Sequence, residues 1–520
     1  MVTLPARAAR NAIGDWLRRT TARHATKSAL IWHERNWTFE ALETASFRVA
    51  EHLAEAGLAK GDRVAAFARN SDSFLLLWLA CAQSGLIHVP VNFGLTGGEL
   101  RYLMEQSGAR ALLFDRSLAE AVAAVRDLPG LEFVEPFEGG GRLDPLAAAL
   151  DGSRAPRREW EVEGEDPAQI VYTSGTTGLP KGGLMPHRGL INEYWSCIHG
   201  CDFAERDRVL FALPLYHAGQ LHTFTMPQLL AGSSSVLIEQ PKPELVFEMI
   251  ERHRITSFFA PPTTWVSLLR HEGFDRHDLS SLEKLYYGAS IMPATILAEL
   301  RRRLPGLRTY NCYGQSESGP LATVLRPEDH EGRLTSCGKP VLNFETRVVD
   351  EAMRDQPPGT VGEIVHRSPQ LIACYWNKPE ETEEAFRGGW FHSGDMGYFD
   401  EEGFLYIVDR LKDVINSGGV LVASREVEDV IFKHEAVYEV AVVGLPDPKW
   451  IEAVTAVVVC REGAAVTEVE LIAHAKAALA HYKVPKKVIF AETLPRNASG
   501  KILKRELRRI HGGSEAAFST

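Results

Sequence analysis

Tyr172-Thr173-Ser174-Gly175-Thr176-Thr177-Gly178-Leu179-Pro180-Lys181-Gly182-Gly183 follows directly on the strand-like run Gln169-Ile170-Val171. Glycines in such a stretch let backbone N–H groups turn inward, the Ser and Thr hydroxyls add donors, and Lys181 supplies a fixed cation. Those are the ingredients of a phosphate cradle at the end of a strand; the bland alternative is a surface turn rich in small polar residues. The order of residues disfavours a Walker-type P-loop, because Pro180 stands where that motif needs its second glycine and Gly182 follows the lysine in place of Ser or Thr.

The 520 residues around this loop are 45% hydrophobic and 24% charged, the balance of a folded globular chain of about three or four compact units. With 57 basic against 68 acidic residues the formal net charge is -11, the wrong sign for a general nucleic-acid binder, so anionic ligands must be met by local sites. Seven cysteines without regular spacing fit a reducing compartment, and Cys197, His199 and Cys201 lack the second ligand pair of a metal site. The apolar run Phe74 to Ala82 is far short of the roughly 20 residues of a bilayer span and reads as a core helix. Ile13, Trp16 and Leu17 at helical spacing predict a first helix with a basic face rather than a transit peptide. The ending Ala516-Ala517-Phe518-Ser519-Thr520 carries no peroxisomal or retention address, so the expectation is a cytoplasmic monomer or homodimer.

From Asp62 to about residue 260, β-branched runs such as Arg63-Val64-Ala65-Ala66-Phe67 and Arg208-Val209-Leu210-Phe211-Ala212 alternate with amphipathic segments, the pattern of α/β layers with largely parallel strands. Pro136 to Glu165, mixed in composition and weak in period, predicts an exposed excursion. A second seam lies near Asp409. Beyond it come helices around Val427 to Phe432 and Leu471 to Leu479, with strands at Val440 to Val443, Thr455 to Val459 and Val488 to Phe490. Roughly the last 110 residues thus have the size and pattern of a small domain.

The run from Tyr172 to Gly182 closely resembles the phosphate-binding signature of the adenylate-forming superfamily, which contains acyl-CoA synthetases, peptide-synthetase adenylation domains and firefly-type luciferases. Four further segments resemble the family in its order: Tyr313-Gly314-Gln315-Ser316-Glu317, Trp390-Phe391-His392-Ser393-Gly394-Asp395, Arg410, and Pro495-Arg496-Asn497-Ala498-Ser499-Gly500-Lys501. By this resemblance Thr173, Ser174, Gly175, Thr176, Thr177 and Lys181 hold the phosphates of ATP. Tyr313 packs on adenine beside Ser316, Glu317 helps hold Mg2+, Asp395 and Arg410 meet the ribose, and Lys501 is the catalytic lysine. The similarity runs from about Trp16 to Leu507. It implies a layered α/β domain over residues 1-409 with two parallel-rich sheets and a small distorted β-barrel, a hinge at 410-413 centred on Lys412, and a mobile α+β cap over 414-520.

The implied chemistry activates a carboxylic acid as acyl-AMP with release of pyrophosphate, then transfers the acyl group to a thiol. Residues matching the thiol channel of relatives are Gly418, Gly419 and Trp450, which points to CoA. However, Val420-Leu421-Val422-Ala423-Ser424 replaces the common Glu-Asn-Val-Tyr-Pro, and Ile451 follows the tryptophan in place of glycine. His217 stands where amino-acid-activating relatives place an aspartate; with Leu221, Trp265, Gly288, Ala289 and Ser290 it matches the border of the acyl pocket and suits a fatty or aryl acid. The leading reading is an AMP-forming carboxylate–CoA ligase. The alternatives are a stand-alone enzyme loading a carrier-protein thiol, a luciferase-like oxidase, and an idle nucleotide-binding scaffold, the last expected to lack Lys501 or Glu317.

Overall fold

The computed structural model describes residues 10–153, 159–173, 179–290, 292–418, 420–496 and 502–512. The chain divides into two compact units, Met1–Thr346 with His366–Phe391, and Arg347–Val365 with His392–Thr520.

Two sheets organise the first unit. Among the described residues one has seven strands and the other nine. In the seven-stranded sheet Arg63–Phe67 pairs in parallel with Ile87–Val91 and Ala111–Phe114, and Pro167–Thr173 joins Ile87–Val91 in parallel. Arg208–Phe211, Ser234–Leu237, Ser257–Phe259, Lys284–Gly288 and Arg308–Tyr313 form the parallel centre of the other. Antiparallel strands lie toward the edges, as at Arg35–Thr38 in one sheet and at Lys181–Pro186 with Cys374–Tyr375 outside it in the other. The central strands are buried along nearly their whole length, which is why they read as continuous apolar runs. The apolar stretch at Phe74 becomes the helix Asp72–Ser84, every residue of it buried, started by Ser71 accepting from the Phe74 N–H and ended at Gly85 with φ 75°.

One expectation fails in part. The first half of the segment after Pro136 is folded in, with Phe137, Leu143, Ala148 and Ala149 buried in the core of the first unit, whereas of the described residues from Leu150 to Glu165 only Val162 is buried. Asp144 caps the short helix Pro145–Leu150 through the Ala147 N–H at 2.9 Å and gathers the N–H groups of Gly139 and Gly140. Six residues are too few to display a helical period, so composition hid the element.

A four-stranded sheet ordered Glu345–Val349, Gly362–Arg367, Phe391–Phe399, Leu405–Arg410, most of whose residues belong to the second unit, stands where the small barrel is expected. It is followed by a five-stranded sheet in which Val437–Asp447 and Ile451–Cys460 form a long antiparallel pair, covered by Ser424–Ile431 and Glu468–Ala478. The 410–413 segment therefore lies inside this unit, and Leu411–Asp413 forms a single tight turn.

Candidate active site

The phosphate-loop segment closes a β-hairpin. Thr173 ends the strand Pro167–Thr173 and lies opposite Lys181, the first residue of Lys181–Pro186. Ser174, Gly175, Thr176 and Thr177 lie outside the described residues, but both ends of the loop are firmly held. Tyr102 and Gln106, one turn apart on the helix Gly97–Ser107, reach its two sides: the Tyr102 hydroxyl donates to the Pro180 carbonyl at 3.0 Å, and the Tyr172 hydroxyl donates to Gln106 Oε1. The Gln106 amide also donates to the Trp376 carbonyl at 2.6 Å, which fixes its orientation. A side chain could not replace Gly182, because a Cβ there would sit 2.6 Å from the Ile170 methyl.

Glu317 and Thr173 meet across this hairpin, with Thr173 Oγ1 donating to Glu317 Oε1 at 2.9 Å. The Tyr375 hydroxyl donates to the same oxygen at 3.3 Å, and Lys181 Nζ lies 5.2 Å from the centre of the Tyr375 ring. Tyr375 belongs to the short edge strand Cys374–Tyr375, whose register pairs it with Gly183. Nothing in the sequence singled it out. Ser316 opens the short turn Ser316–Ser318 that presents Glu317. Tyr313 ends the strand Arg308–Tyr313, and Gly314 is required after it: a Cβ there would lie 1.9 Å from the Pro320 carbonyl oxygen. Glu317 and Thr173 supply oxygen donors alone, and among the described residues no three His, Cys, Asp or Glu side chains gather to hold a metal by themselves. That set fits Mg2+, which is commonly held by one or two carboxylates and completed by phosphate oxygens and water.

Beneath Glu317 lies a buried polar node that the sequence did not reveal. Glu193 on the helix His187–Gly200 accepts from the Leu321 N–H at 3.0 Å, the Cys197 thiol at 3.1 Å and the Gln370 amide. Gln370 donates in turn to the carbonyls of Ser318 and Leu321. Burial pushes the Glu193 carboxyl well above the usual carboxylate range. A second buried chain runs from His88 through Gln169 and His222 to Tyr194, linking the strand that enters the loop to the wide helical turn Gly219–Thr225. Desolvation lowers both imidazoles to about 3, so they are neutral.

Of the residues expected around the acyl group, His217 is open to solvent on one side, while the protein around the rest of the ring lowers its pKa by desolvation. Its carbonyl accepts from the Leu221 N–H at 3.0 Å, placing buried Leu221 one turn on. Gly288 ends its strand with no room for a side chain, since a Cβ would lie 2.2 Å from the Cys312 carbonyl oxygen; Ala289, at φ 63°, and Ser290 follow, exposed. Trp265 is instead packed in the core, its indole N–H donating to the Tyr286 carbonyl at 3.2 Å and its ring against Phe258.

In the second unit Asp395 and Arg410 sit opposite each other on paired strands and form an ion pair at 2.6 Å. Lys412 is in the turn that follows, its carbonyl accepting from Arg508 at 3.2 Å, and Arg508 also pairs with Asp413. Gly418, at φ 66°, donates to the Trp450 carbonyl at 2.6 Å and lies against the Trp450 ring. The ammonium groups of Lys449 and Lys486 lie 4.9 and 4.8 Å from the same ring. Ile451 holds φ 64°. Gly419 and Lys501 lie outside the described residues.

The AMP-binding enzyme family matches residues 17–376, and the AMP-binding enzyme C-terminal domain matches residues 426–501. The chain belongs to the AMP-binding enzyme family, and its class is that of the adenylate-forming acid–thiol ligases. It is 36% identical over 503 residues to a feruloyl-CoA synthase of Amycolatopsis sp, covering 96% of this chain and 99% of that one. It is 34% identical over 516 residues to the fatty acid–[acyl-carrier-protein] ligase ScoC of Streptomyces coeruleorubidus, covering 96% of each. The solved structure of o-succinylbenzoate CoA synthetase from Bacillus subtilis, in complex with the acyl-adenylate intermediate OSB-AMP, superposes with a TM-score of 0.85 at 30% identity over 95% of this chain and 97% of that one. Among the described residues no helix is long and apolar enough to cross a membrane.

Proposed function

We propose that this enzyme uses ATP to convert a fatty or aryl carboxylic acid to acyl-AMP and then transfers the acyl group to CoA. The observation that carries the reading is the meeting of Thr173, Glu317 and Lys181 at the base of the phosphate-loop hairpin. A carboxylate is a poor acyl donor; attack of its oxygen on the α-phosphorus, with pyrophosphate leaving, makes a mixed anhydride from which a thiol displaces AMP. Thr173 and Lys181, with Ser174, Gly175, Thr176 and Thr177, orient the triphosphate and retain pyrophosphate. Mg2+ held through Glu317 supplies charge stabilisation at the phosphates. Lys501, a cation at neutral pH, opposes the charge that develops at the α-phosphate. Tyr313 and Ser316 border adenine, and the paired Asp395 and Arg410 receive the ribose. Residues 410–413, with Lys412 at the centre, act as the hinge by which residues 414–520 change orientation for the second step, when Gly418, Gly419 and Trp450 line the path of the pantetheine thiol.

His217, Leu221, Ala289 and Ser290 border the acyl tail, and the absence of an acidic residue at position 217 opposes a free amino acid as substrate. Trp265 acts from beneath, supporting the strand Lys284–Gly288. A second reading, delivery to a carrier-protein thiol, draws support from the altered 420–424 segment, from Ile451, and from the likeness to the carrier-protein ligase. Acid-dependent ATP–pyrophosphate exchange on a panel of aliphatic and aromatic acids, followed by AMP release with and without CoA, tests both. Exchange accompanied by CoA-dependent thioester supports the first reading, exchange without thioester the second, and no exchange with any acid refutes both.

A further inference from the structure

The Tyr375 side chain touches both charged members of the phosphate-binding base. Its hydroxyl donates to Glu317 Oε1, and the face of its ring lies under the Lys181 ammonium. The strand Cys374–Tyr375 is pinned on the same edge of the sheet as Lys181 itself, with Tyr375 opposite Gly183 and Cys374 opposite Leu184. The Ile372 N–H donates to the Glu317 carbonyl at 3.0 Å, so the segment that carries Tyr375 also holds the Glu317 backbone. The Tyr375 side chain is buried, so its hydroxyl is held against the carboxylate.

We propose that Tyr375 is a positioning residue with two separable functions: its hydroxyl fixes which Glu317 oxygen is left for the metal, and its ring fixes the Lys181 ammonium where it meets the departing pyrophosphate. With Thr173 and Tyr375 both donating to Oε1, the second carboxylate oxygen is the one turned to a hard cation. The aromatic face attracts the ammonium through its quadrupole and restricts a long, flexible side chain without neutralising its charge. This role rests on the reading of Glu317 as magnesium ligand and of Lys181 as pyrophosphate holder.

The two functions come apart in two variants. Tyr375→Phe keeps the ring and loses the hydroxyl; Tyr375→Leu loses both. Mn2+ binding in the presence of α,β-methylene-ATP, followed by loss of the free-ion paramagnetic signal, reads the metal directly, and the KM for pyrophosphate in the exchange reaction reads Lys181. Tyr375→Phe is expected to weaken Mn2+ binding about threefold to tenfold with the pyrophosphate KM held within about twofold. Tyr375→Leu is expected to show the same metal defect and a pyrophosphate KM raised about threefold or more. Glu317→Gln serves as the control. If it weakens Mn2+ binding while Tyr375→Phe does not, the role of the tyrosine is overturned; if neither weakens it, the magnesium reading falls and the tyrosine's role falls with it. Equal pyrophosphate KM values in Tyr375→Phe and Tyr375→Leu, with both folded by circular dichroism, overturn the part assigned to the ring.

Discussion

Thr173 and Glu317, 144 residues apart in sequence, share a hydrogen bond of 2.9 Å at the mouth of the phosphate-loop hairpin. The bond ties the carboxylate that would hold the metal to the strand that launches the loop. A hydrogen bond to a charged acceptor is worth about 1.5 kcal/mol or more, about tenfold in rate if expressed in the transition state. Thr173→Val, which keeps shape and removes the donor, is therefore expected to lower acid-dependent ATP–pyrophosphate exchange about tenfold. Thioester formation from supplied acyl-AMP should change little, and an equal loss in both reactions would refute the assignment.

Glu193 is expected to matter for stability more than for chemistry. Glu193→Ala strands the Leu321 N–H and the Cys197 thiol in a dry interior, at a cost of about 3 kcal/mol, while the Gln370 amide keeps the Ser318 and Leu321 carbonyls. Glu193→Gln retains the shape and one acceptor oxygen for the Leu321 N–H and the Cys197 thiol, so it should lose less than half as much. Urea unfolding compares the two, and hydrogen exchange over residues 318–321 should rise in the alanine variant alone.

Lys501→Ala is expected to abolish acyl-AMP formation while largely sparing acyl transfer from supplied acyl-AMP. Single-turnover measurements of each half-reaction check this; parallel loss of both would deny the lysine its special place in the first step.

What the sequence made legible was local. A hairpin loop of Gly, Ser, Thr and Lys shows itself in order, as does the apolar helix Asp72–Ser84, because each is specified by neighbours along the chain. Glu193, Gln370 and Tyr375 were invisible because their meaning depends on partners far away: Glu193 finds Leu321 across 128 residues and Gln370 across 177. A lone glutamate in a helix reads as solvated until the tertiary fold closes over it. The short helix after Asp144 was lost for the opposite reason, since six residues cannot declare a period. Trp265 matched a pocket position by order along the chain, yet its depth in the core could only be read from the packed structure.

Ile451 occupies the left-handed region at φ 64°, where a β-branched residue is strained by about 1 kcal/mol or more, and its side chain is exposed. Glycine adopts that conformation freely. Ile451→Gly is expected to leave the fold intact and to raise stability by about 1 kcal/mol, measured by denaturant titration. A loss of stability would show that the isoleucine is not strained.

His366 supplies a pH dependence whose sign is fixed. Its ring is buried against Phe344, Nδ1 faces Thr346 Oγ1 at 3.1 Å, Nε2 has no partner among the described residues, and desolvation lowers its pKa to about 3. Unfolding releases an imidazole that binds a proton near pH 6.5, so the stabilising effect is complete above that pH and is lost as pH falls toward the folded value. Between pH 7.5 and 5.5 this one group should cost about 1.4 kcal/mol of stability. His366→Phe is expected to remove that share of the acid sensitivity, read as a smaller difference in urea midpoint between the two pH values.

The pairing of Thr173 with Lys181 also limits how this stretch can change in length. Side chains alternate between faces with a period of two, so deleting a single residue from either strand would exchange inward and outward positions and bury the ammonium among apolar neighbours. Insertions and deletions are thus admissible only inside the turn, and homologous enzymes with a longer or shorter cradle should differ there and nowhere along its two arms.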